Sequence, residues 1–424
     1  MIKCGQRLRR FVISKALPVW LKQGTWMVVL QLLGKLASLA GGIWAARCLG
    51  PEKLGVSGMA FVLMPAFYLF GGLKLDVFLV RHYADFEKEG KEGSIADAYF
   101  TFQLMNVGVL TFFGLIIVAI LGLPSDGIIT LLVAVPVMFL ASSQPLWLLQ
   151  ARERMPAFYF GNTVFAFVNA GLLFALVRPG SPAGVDLLAY LGGLTIAWLL
   201  MWRSALNQRI LPRLNFAWLN RIWDMARANQ LVFVTGIFMF VMNALEAPLV
   251  GWLAGIEELG LYRTALIVAN SLQTFLHIIP LLLYPKLVAW QRENPSGFRV
   301  KQNRLATVFF GLALLASLCV FMLSPLLYSI LFGAEFASAA LPFALLFSAK
   351  LVVIVSGIYT WGLWAKDETV KPLIVIAPVA IISLIADFIL IPTYGMTAAA
   401  AISLVSELCV LAGMFIYANR EAGR

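Results

Sequence analysis

The chain has 424 residues, of which 61% are hydrophobic and only 12% are charged, and its net charge is +11. Soluble globular proteins carry roughly 45–50% apolar and about 25% charged residues, and a chain of this size cannot hide such an apolar excess in a water-soluble core. The composition therefore excludes a soluble protein and predicts one that spans a lipid bilayer. Cys4, Cys48, Cys319 and Cys409 form no CxxC or Cys/His pattern, so neither a disulfide framework nor a zinc site is expected.

Residues 1–23 form a basic amphipathic segment in which Lys and Arg alternate with apolar residues, and no small-residue cleavage site follows it. We expect this segment to lie on the cytoplasmic membrane surface and to contact anionic lipid.

About twelve apolar segments follow, each near the roughly 20 residues that a helix needs to cross a bilayer. They are predicted at 24–47, 57–80, 98–122, 128–149, 157–178, 186–207, 228–253, 262–286, 304–331, 338–364, 371–391 and 396–418. The predicted fold is an all-α polytopic membrane protein with an N-terminal six-helix bundle at 24–207 and a C-terminal six-helix bundle at 228–418. A cytoplasmic linker at 208–227 joins the bundles, and a cytoplasmic tail covers 419–424.

The distribution of Lys and Arg predicts the orientation of these spans. The odd-numbered connections hold only Arg47, Lys53, Arg178 and Arg263, whereas the even-numbered connections and both termini carry most of the basic residues. The positive-inside rule therefore places both termini in the cytoplasm. The net positive charge is then explained by contacts with the anionic lipid leaflet, and no nucleic-acid partner is needed.

Two pairs of matching segments indicate an internal repeat. GPEKLG at 50–55 matches GIEELG at 255–260, and WLLQARE at 147–153 resembles WGLWAKD at 361–367. Each pair is separated by six predicted spans, an even number, so the two halves share one orientation in the membrane. Parallel repeats about an axis along the membrane normal are typical of alternating-access transporters.

Four short motifs resemble those of a known family. AARCLGPEKLG at 45–55 resembles the ARxLGPExxG segment after the first helix of polysaccharide-biosynthesis membrane proteins, and GLYRTA at 260–265 resembles their GxYxxA start of helix 8. LFGAEF at 331–336 resembles their LFGxxF/Y step, and YGMTAA at 394–399 their YGxxGAA segment, with Thr397 in place of a second Gly. These proteins are the Wzx-type lipid-linked oligosaccharide flippases of the multidrug/oligosaccharidyl-lipid/polysaccharide exporter superfamily.

The resemblance implies two bundles in a V, like that of the multidrug exporters (MATE-like), around a central cavity that opens alternately to either face. It implies a bacterial inner-membrane flippase, without a cofactor, that carries undecaprenyl-pyrophosphate-linked oligosaccharide, such as an O-antigen unit, to the periplasmic leaflet. The expected partners are this lipid-linked glycan, membrane lipids, and a polysaccharide polymerase and chain-length regulator, and the expected state is a monomer. Coupling to H⁺ or Na⁺ stays open.

Intramembrane polar residues of the first half are the first candidates for the site, because an ionisable residue in a span normally faces a cavity or a partner. Gln31, Lys35, Ser38 and Gly42 recur at helical spacing and predict a polar stripe on span 1. Lys74 and Arg81 are predicted to share one face of span 2 with Gly71 and, with Lys35, to receive the pyrophosphate. Snorkelling of Lys74 or Arg81 to the interface is the alternative. Asp76 is assigned an interhelical partner that the sequence does not identify.

In the second half, Arg263, Asn270, Thr274 and His277 follow one face of span 8 and predict a cavity-lining stripe. His277 fits either a proton-coupled step or a structural role. Lys350 is a candidate for binding substrate charge. Glu246 and Glu407 are expected either to pair with Lys350 or Arg263 or to bind a coupling ion, and Asp387 is expected at the membrane interface.

Two other functions are weighed against a flippase. A multidrug or organic-cation antiporter of the same superfamily needs an acidic cavity, whereas span 1 offers Lys35 and no acid. A membrane-embedded polymerase or ligase needs a catalytic group beside a sizeable outer loop, and the predicted outer loops are only a few residues long.

Overall fold

The computed structural model describes the backbone of residues 2–121, 125–206, 210–276, 278–366, 368 and 371–420. Side chains are described from residue 29 onward, apart from those of residues 115, 117–129, 131, 207–209, 272–278, 280–282, 285, 292, 295–296, 364, 367, 369–370 and 420–424. The predicted amphipathic character of 1–23 thus lies outside the described side chains, although its backbone is helical from Ile2.

Helices make up nearly all of the described chain. The helices of the first half are α1 (Ile2–Gly72), α2 (Leu75–Lys88), α3 (Glu92–Leu121), α4 (Ser125–Ser142), α5 (Leu146–Ala151), α6 (Met155–Leu176) and α7 (Val185–Ala205). Those of the linker and second half are α8 (Leu219–Ala228), α9 (Gln230–Asn243), α10 (Glu246–Leu253), α11 (Ile256–Leu276), α12 (Ile278–Glu293), α13 (Pro295–Leu331), α14 (Ala340–Ala365) and α15 (Pro372–Arg420), with a 3-10 helix at Ala334–Ala339.

Seven helices among the described residues are long and apolar enough to cross a membrane, and the pair α8 and α9, bent by 70°, would add an eighth. Two of the seven contain a glycine with left-handed or otherwise non-helical backbone, Gly50 in α1 and Gly395 in α15, at the places where predicted spans meet. Each of these two helices therefore covers two predicted spans. The all-α membrane fold is confirmed, while the count of twelve and the cytoplasmic location of both termini stay predictions.

The two matching segments of the predicted repeat pack directly against each other. A Cβ on Gly55 would overlap the carbonyl oxygen of Ile256, and a Cβ on Gly260 would overlap that of Pro51. The two contacts are equivalent, since Pro51 and Gly55 correspond to Ile256 and Gly260 in the repeat. Such a reciprocal contact is what a local two-fold axis generates. Glycine is required here because it alone lets the two backbones touch.

Residues at equivalent positions of the two repeats also form hydrogen bonds to the backbone of a neighbouring segment in their own half. Lys53 donates a hydrogen bond from Nζ to the carbonyl oxygen of Ser181, 2.9 Å away, between α6 and α7. Glu258, its counterpart in the second half, accepts a hydrogen bond of 2.9 Å from the backbone N–H of Met396, beside the kink of α15. The internal repeat read from the sequence is therefore also a repeat of structure.

Three predicted spans are interrupted. Span 2 is broken between α1 and α2, where Leu73 and Lys74 have positive φ angles of 48° and 55°. Span 4 is broken between α4 and α5 before Pro145, and span 7 between α9 and α10 before Pro248. Proline cannot donate to the carbonyl four residues earlier, which explains the latter two breaks. Each of these three spans therefore consists of two helical segments.

The helices α1 and α6 pack closely through small residues. Gly34 faces Ala166, where an added Cβ would lie 3.5 Å from the alanine methyl, and Gly41 faces Ala170. The Thr163 hydroxyl donates to the carbonyl oxygen of Leu30 at 2.9 Å. Small residues and interhelical hydrogen bonds are the usual basis of helix association in lipid, so this pair forms a fixed wall of the first half.

The linker between the halves is bound to α3. The backbone N–H of Arg213 donates to an Asp97 carboxylate oxygen at 2.9 Å, and that of Asn215 donates to the Thr101 hydroxyl at 2.8 Å. The linker helix α8 then buries Ile222 completely against the first half. The linker is thus part of the N-terminal bundle's surface in structural terms.

Candidate functional site

A cavity of about 370 Å³ lies between the two halves. Its walls come from both arms of α1, from α6 and α7, and, in the second half, from α9, α10 and α11. The polar residues that line it are Lys35, Ser38, Asn169, Asp186, Tyr190, Asn243, Glu246, Arg263, Asn270 and Ser271. Of the residues predicted from the sequence, Lys35, Arg263, Asn270 and Glu246 therefore reach one cavity.

Arg263 connects the two halves at the predicted outer end of this cavity. Its guanidinium forms an ion pair of 3.0 Å with Asp186 of α7, and it donates hydrogen bonds to the Ser57 hydroxyl at 2.7 Å and the Leu54 carbonyl at 2.9 Å. It also lies 4.0 Å from the centre of the Phe61 ring. All these partners belong to the first half. Arg263 is consequently occupied in a contact between bundles, which differs from the predicted role of binding substrate.

Asp186 is the acceptor at the centre of this cluster, which we name the outer latch (Ser57, Asp186 and Arg263). The Ser57 hydroxyl and the Arg263 guanidinium donate to the same carboxylate oxygen of Asp186, at 2.8 Å and 3.0 Å. Asp186 is only 2% exposed, and its other carboxylate oxygen has no hydrogen-bond partner among the described residues. A buried carboxylate of this kind depends on its cation, so the outer latch favours the closed contact between the halves.

Lys35 faces the cavity from the middle of the first arm of α1. Ser38 and Gly42 line the same cavity one and two turns further along, as the predicted stripe requires. Lys35 makes no hydrogen bond or ion pair with any other residue that the structure describes. An ammonium group without a counterion in a membrane protein is an open position for an anionic ligand.

A second cavity, of about 510 Å³, adjoins the first on its predicted cytoplasmic side and shares Lys35 and Ser38 with it. We name it the α1–α6 groove, because its walls belong to these two helices alone. Its lining residues are Leu30, Gln31, Gly34, Lys35, Ser38, Tyr159, Asn162, Thr163, Phe165 and Ala166. On α6, polar residues face the stripe of α1 at the helical spacing of Tyr159, Asn162 and Asn169.

Glu246 is buried, 6% exposed, and lies at the break between α9 and α10, where it contributes to the cavity wall. Broken helices at membrane depth are tolerated where they line a cavity, and they often form ion or substrate sites. Behind the cavity wall, Glu246 interacts electrostatically with Lys350, Asp387 and Glu407 of the second half. We name these four residues the charge cluster.

The other members of the charge cluster lie behind the residues that line the described cavity. Lys350 is not among the residues that line the described cavity, and it lies within electrostatic reach of Glu246 and Glu407 in its own half. Asp387 is buried within the second half, with 3% of its surface exposed, and its expected position at the membrane interface stays a prediction. Among the described residues, no group of three or more His, Cys, Asp or Glu side chains converges closely enough to hold a metal ion.

The remaining candidates of the first half lie elsewhere. Lys74 and Arg81 share no continuous helix face, because the backbone turns left-handed at Lys74 before α2 begins. The aliphatic part of Lys74 packs on Gly236 of α9, while its carbonyl accepts from the Asn229 side chain at 2.9 Å. Arg81 is exposed, as its snorkelling alternative requires.

The structure identifies a partner for Asp76, which the sequence left unnamed. Its carboxylate accepts a hydrogen bond of 3.4 Å from the hydroxyl of Tyr68, which lies eight residues earlier in α1. The partner of Asp76 in α2 is therefore on another helix, α1, across the break of span 2. His277 and the side chain of Thr274 lie outside the described residues.

The residues that line the cavity carry charges of both signs. Its described charged residues are two cations, Lys35 and Arg263, and two anions, Asp186 and Glu246. Arg263 is paired with Asp186, and Glu246 lies within electrostatic reach of Lys350. Lys35 is the remaining cation, so positive charge is local, at the junction of the cavity with the α1–α6 groove.

Several residues that line the cavity were not predicted as site residues from the sequence. Asp186 opens a helix, where an acid is ordinary because it favours the helix dipole. Tyr190 packs between the rings of Phe61 and Phe165, with ring centres 4.8 Å apart in both cases. The polar spacing of Tyr159, Asn162 and Asn169 was available in the sequence as a signal, although only the packing shows which way it faces.

Solved structures with a similar fold are membrane transport proteins. The lipid II flippase MurJ in an inward closed conformation has a TM-score of 0.74 at 13% identity, covering 93% of this chain and 87% of that one. An inward-facing multidrug resistance MATE family transporter of the MOP superfamily has a TM-score of 0.68 at 15% identity, covering 92% and 94%. An outward-facing MATE family transporter has a TM-score of 0.54 at 13% identity, covering 94% and 95%. These identities establish the fold alone.

A search of curated proteins gave no match. The family model for polysaccharide biosynthesis protein matches residues 20–290, which include α6, α7, the linker and most of the walls of the cavity. With the family matched over most of the chain and the MOP-superfamily fold over nearly all of it, the chain belongs to the polysaccharide biosynthesis protein family of multi-pass membrane proteins.

Proposed function

We propose that this protein is a flippase that moves an undecaprenyl-diphosphate-linked oligosaccharide, such as an O-antigen repeat unit, to the periplasmic leaflet of the bacterial inner membrane. The observation that carries the proposal is Lys35, a cation without a partner among the described residues, in a cavity between the two halves. The family description and the lipid II flippase among the similar folds support a lipid-linked glycan as substrate. The proposed protein partners of such a flippase are a polysaccharide polymerase and a chain-length regulator.

The charge of the substrate fits the position of Lys35. A diphosphate carries its negative charge on oxygens that accept short, strong hydrogen bonds from an ammonium group. At a site shielded from water, this attraction is several times stronger than in bulk water. The glycan and the diphosphate would occupy the cavity, while the polyprenyl chain would stay in lipid, where the exposed apolar faces of the helices lie.

The contacts between the halves support an inward-facing resting state. They include the reciprocal glycine contact and the outer latch, both at the end that the positive-inside rule places outside. The TM-score of 0.68 with an inward-facing MATE transporter exceeds that of 0.54 with an outward-facing one. Transport would then require opening of this contact, as alternating access demands.

The test replaces Lys35 by Ala and by Arg in proteoliposomes that contain a fluorescent polyprenyl-diphosphate-linked glycan. We expect Lys35→Ala to reduce translocation at least tenfold and Lys35→Arg to retain most of it, because removing a charge-assisted hydrogen bond costs about 1.5–3 kcal/mol. Lys88→Ala, at an exposed position of α2, is the matched control. Unchanged translocation by Lys35→Ala would contradict the proposal.

We further propose that the charge cluster couples transport to an ion, and that this ion is a proton. Glu246 faces the cavity and interacts with three charged residues behind it, so a change in its protonation would reach both the substrate and the second half. A proton needs only one carboxylate to bind it, and the buried carboxylate of Glu246 in the cavity wall can serve as that group. Sodium dependence of transport would overturn the choice of ion.

The alternative function is export of organic cations, as in a multidrug antiporter. The buried carboxylates of Glu246 and Asp186 in the cavity wall favour this alternative. Lys35 opposes it, because it would repel a cationic drug. Uptake of a fluorescent organic cation by the same proteoliposomes, without translocation of the glycan lipid, would support the antiporter.

A further inference from the structure

The α1–α6 groove is rich in neutral hydrogen-bonding groups. Gln31 on α1 and Tyr159 and Asn162 on α6 line it, and none of their side-chain polar groups has a hydrogen-bond partner among the described residues. Lys35 lies at one end, where the groove meets the central cavity. We infer that the α1–α6 groove is the saccharide subsite and binds an uncharged sugar ring attached to a diphosphate at Lys35, an inference that rests on the proposed function.

The type of side chain in the groove identifies this ligand. A side-chain amide both donates and accepts hydrogen bonds, as a pair of neighbouring sugar hydroxyls does, and a Tyr ring offers an apolar face and a hydroxyl. A hydrocarbon chain in the groove would leave these groups unpaired, at a cost of roughly 1–3 kcal/mol each. An organic cation would meet the charge of Lys35. A neutral polar ligand satisfies the groove, and a sugar is the neutral polar part of the proposed substrate.

A second observation extends the groove into the central cavity. Asn169 lies two helical turns beyond Asn162 on the same face of α6, and it lines the central cavity. It is 8% exposed, and its Oδ1 atom has no hydrogen-bond partner among the described residues. Polar groups therefore continue on both sides of Lys35, which allows a glycan of more than one ring to follow the wall of α6.

The wall that carries the groove is rigid, which favours specific recognition. The hydrogen bond from Thr163 to the Leu30 carbonyl and the contact of Gly34 with Ala166 fix α6 against α1. A ligand then pays little for ordering these helices on binding. The groove volume of about 510 Å³ lies within the roughly 300–1,000 Å³ of small-ligand sites.

The test measures how much the sugar adds to binding. The full-length protein in lipid nanodiscs is titrated with farnesyl diphosphate and with farnesyl-diphosphate-linked N-acetylglucosamine, and the ratio of the two Kd values is the sugar increment. We expect Asn162→Leu and Tyr159→Phe each to reduce this increment about three- to tenfold, the effect of one lost neutral hydrogen bond. Binding of farnesyl diphosphate should not change. Asn162→Gln should retain part of the increment, and Asn220→Leu, at an exposed position of α8, is the control.

The outcomes separate this inference from the proposed function. The saccharide subsite would be overturned if both groove variants kept the wild-type increment, or if the wild-type protein bound the two ligands equally well. In either case, binding of farnesyl diphosphate that depends on Lys35 would still support the flippase. Loss of binding of farnesyl diphosphate itself in Asn162→Leu, with an unchanged melting temperature, would also overturn it, because the groove would then hold the diphosphate. A larger increment with a glucuronic acid headgroup than with N-acetylglucosamine would overturn the uncharged class of sugar.

Discussion

Replacing Asp186 by Asn should open the predicted outer end of the protein. In the closed contact, Asp186 accepts hydrogen bonds from Arg263 at 3.0 Å and from Ser57 at 2.8 Å, and it neutralises the charge of Arg263. A hydrogen bond to a charged group contributes about 1.5–3 kcal/mol, and breaking a buried pair costs about 3–5 kcal/mol. Since Asn keeps an acceptor, we expect a loss of about 2–4 kcal/mol, which changes the ratio of open to closed molecules roughly 30- to 1,000-fold.

Distances between spin labels at positions 52 and 257 measure this opening. Both glutamates are exposed, and they occupy equivalent positions in the two repeats. Labels are attached to Glu52→Cys and Glu257→Cys after Cys4, Cys48, Cys319 and Cys409 are replaced by Ser. Electron–electron double resonance should detect a longer distance that grows in Asp186→Asn.

Two variants control this experiment. Asp224→Asn, at an exposed position of α8, should leave the distance distribution unchanged. The exchange variant Asp186→Arg with Arg263→Asp should recover part of the closed population, because it retains one cation and one anion across the halves. An unchanged distribution in Asp186→Asn would refute the assignment of the outer latch as a closing contact.

The other predictions concern the glycine contact and the charge cluster. Gly55→Ala and Gly260→Ala should each prevent the closed contact and increase the population with the long distance, because a methyl group at either position overlaps the opposing backbone. Gly108→Ala, whose added methyl group meets no atom within 4 Å, should have no such effect. Closed distance distributions in both contact variants would contradict the reasoning. Glu246→Gln should abolish the acceleration of glycan transport by a proton gradient while transport driven by the substrate gradient continues; acceleration equal to wild type would exclude Glu246 as the coupling group.

Much of the architecture could be predicted from the sequence, because the internal repeat requires the same residues at equivalent positions of both halves. Gly50 and Gly255 have φ angles of 73° and 109°, so both copies need glycine at the same turn. The second glycine of each copy, at positions 55 and 260, is needed for a different reason, the contact between backbones. A pattern repeated for conformational and packing reasons together is readable without any structure.

The breaks within the spans were harder to predict, because mean hydropathy is averaged over a window longer than a break. The break after Gly72 occurs in an apolar stretch whose only local sign is the Gly71–Gly72 pair. Because Lys74 lies in that break, helical spacing does not apply to it, and the face it was assigned does not exist. A lysine next to a pair of glycines is therefore poorly placed by periodicity.

The charges in the membrane show most clearly what sequence reasoning lacks. Periodicity places Arg263 on a cavity-facing stripe, and the structure agrees, yet its partner Asp186 is 77 residues away in the other half. Whether a buried cation is available to a ligand depends on such distant partners, which spacing along one helix cannot reveal. Lys35 lines the same cavity but has no such partner among the described residues. The proposed function gives the two cations different tasks: Arg263 would stabilise the closed outer end, and Lys35 would bind an anion that arrives from the opposite side.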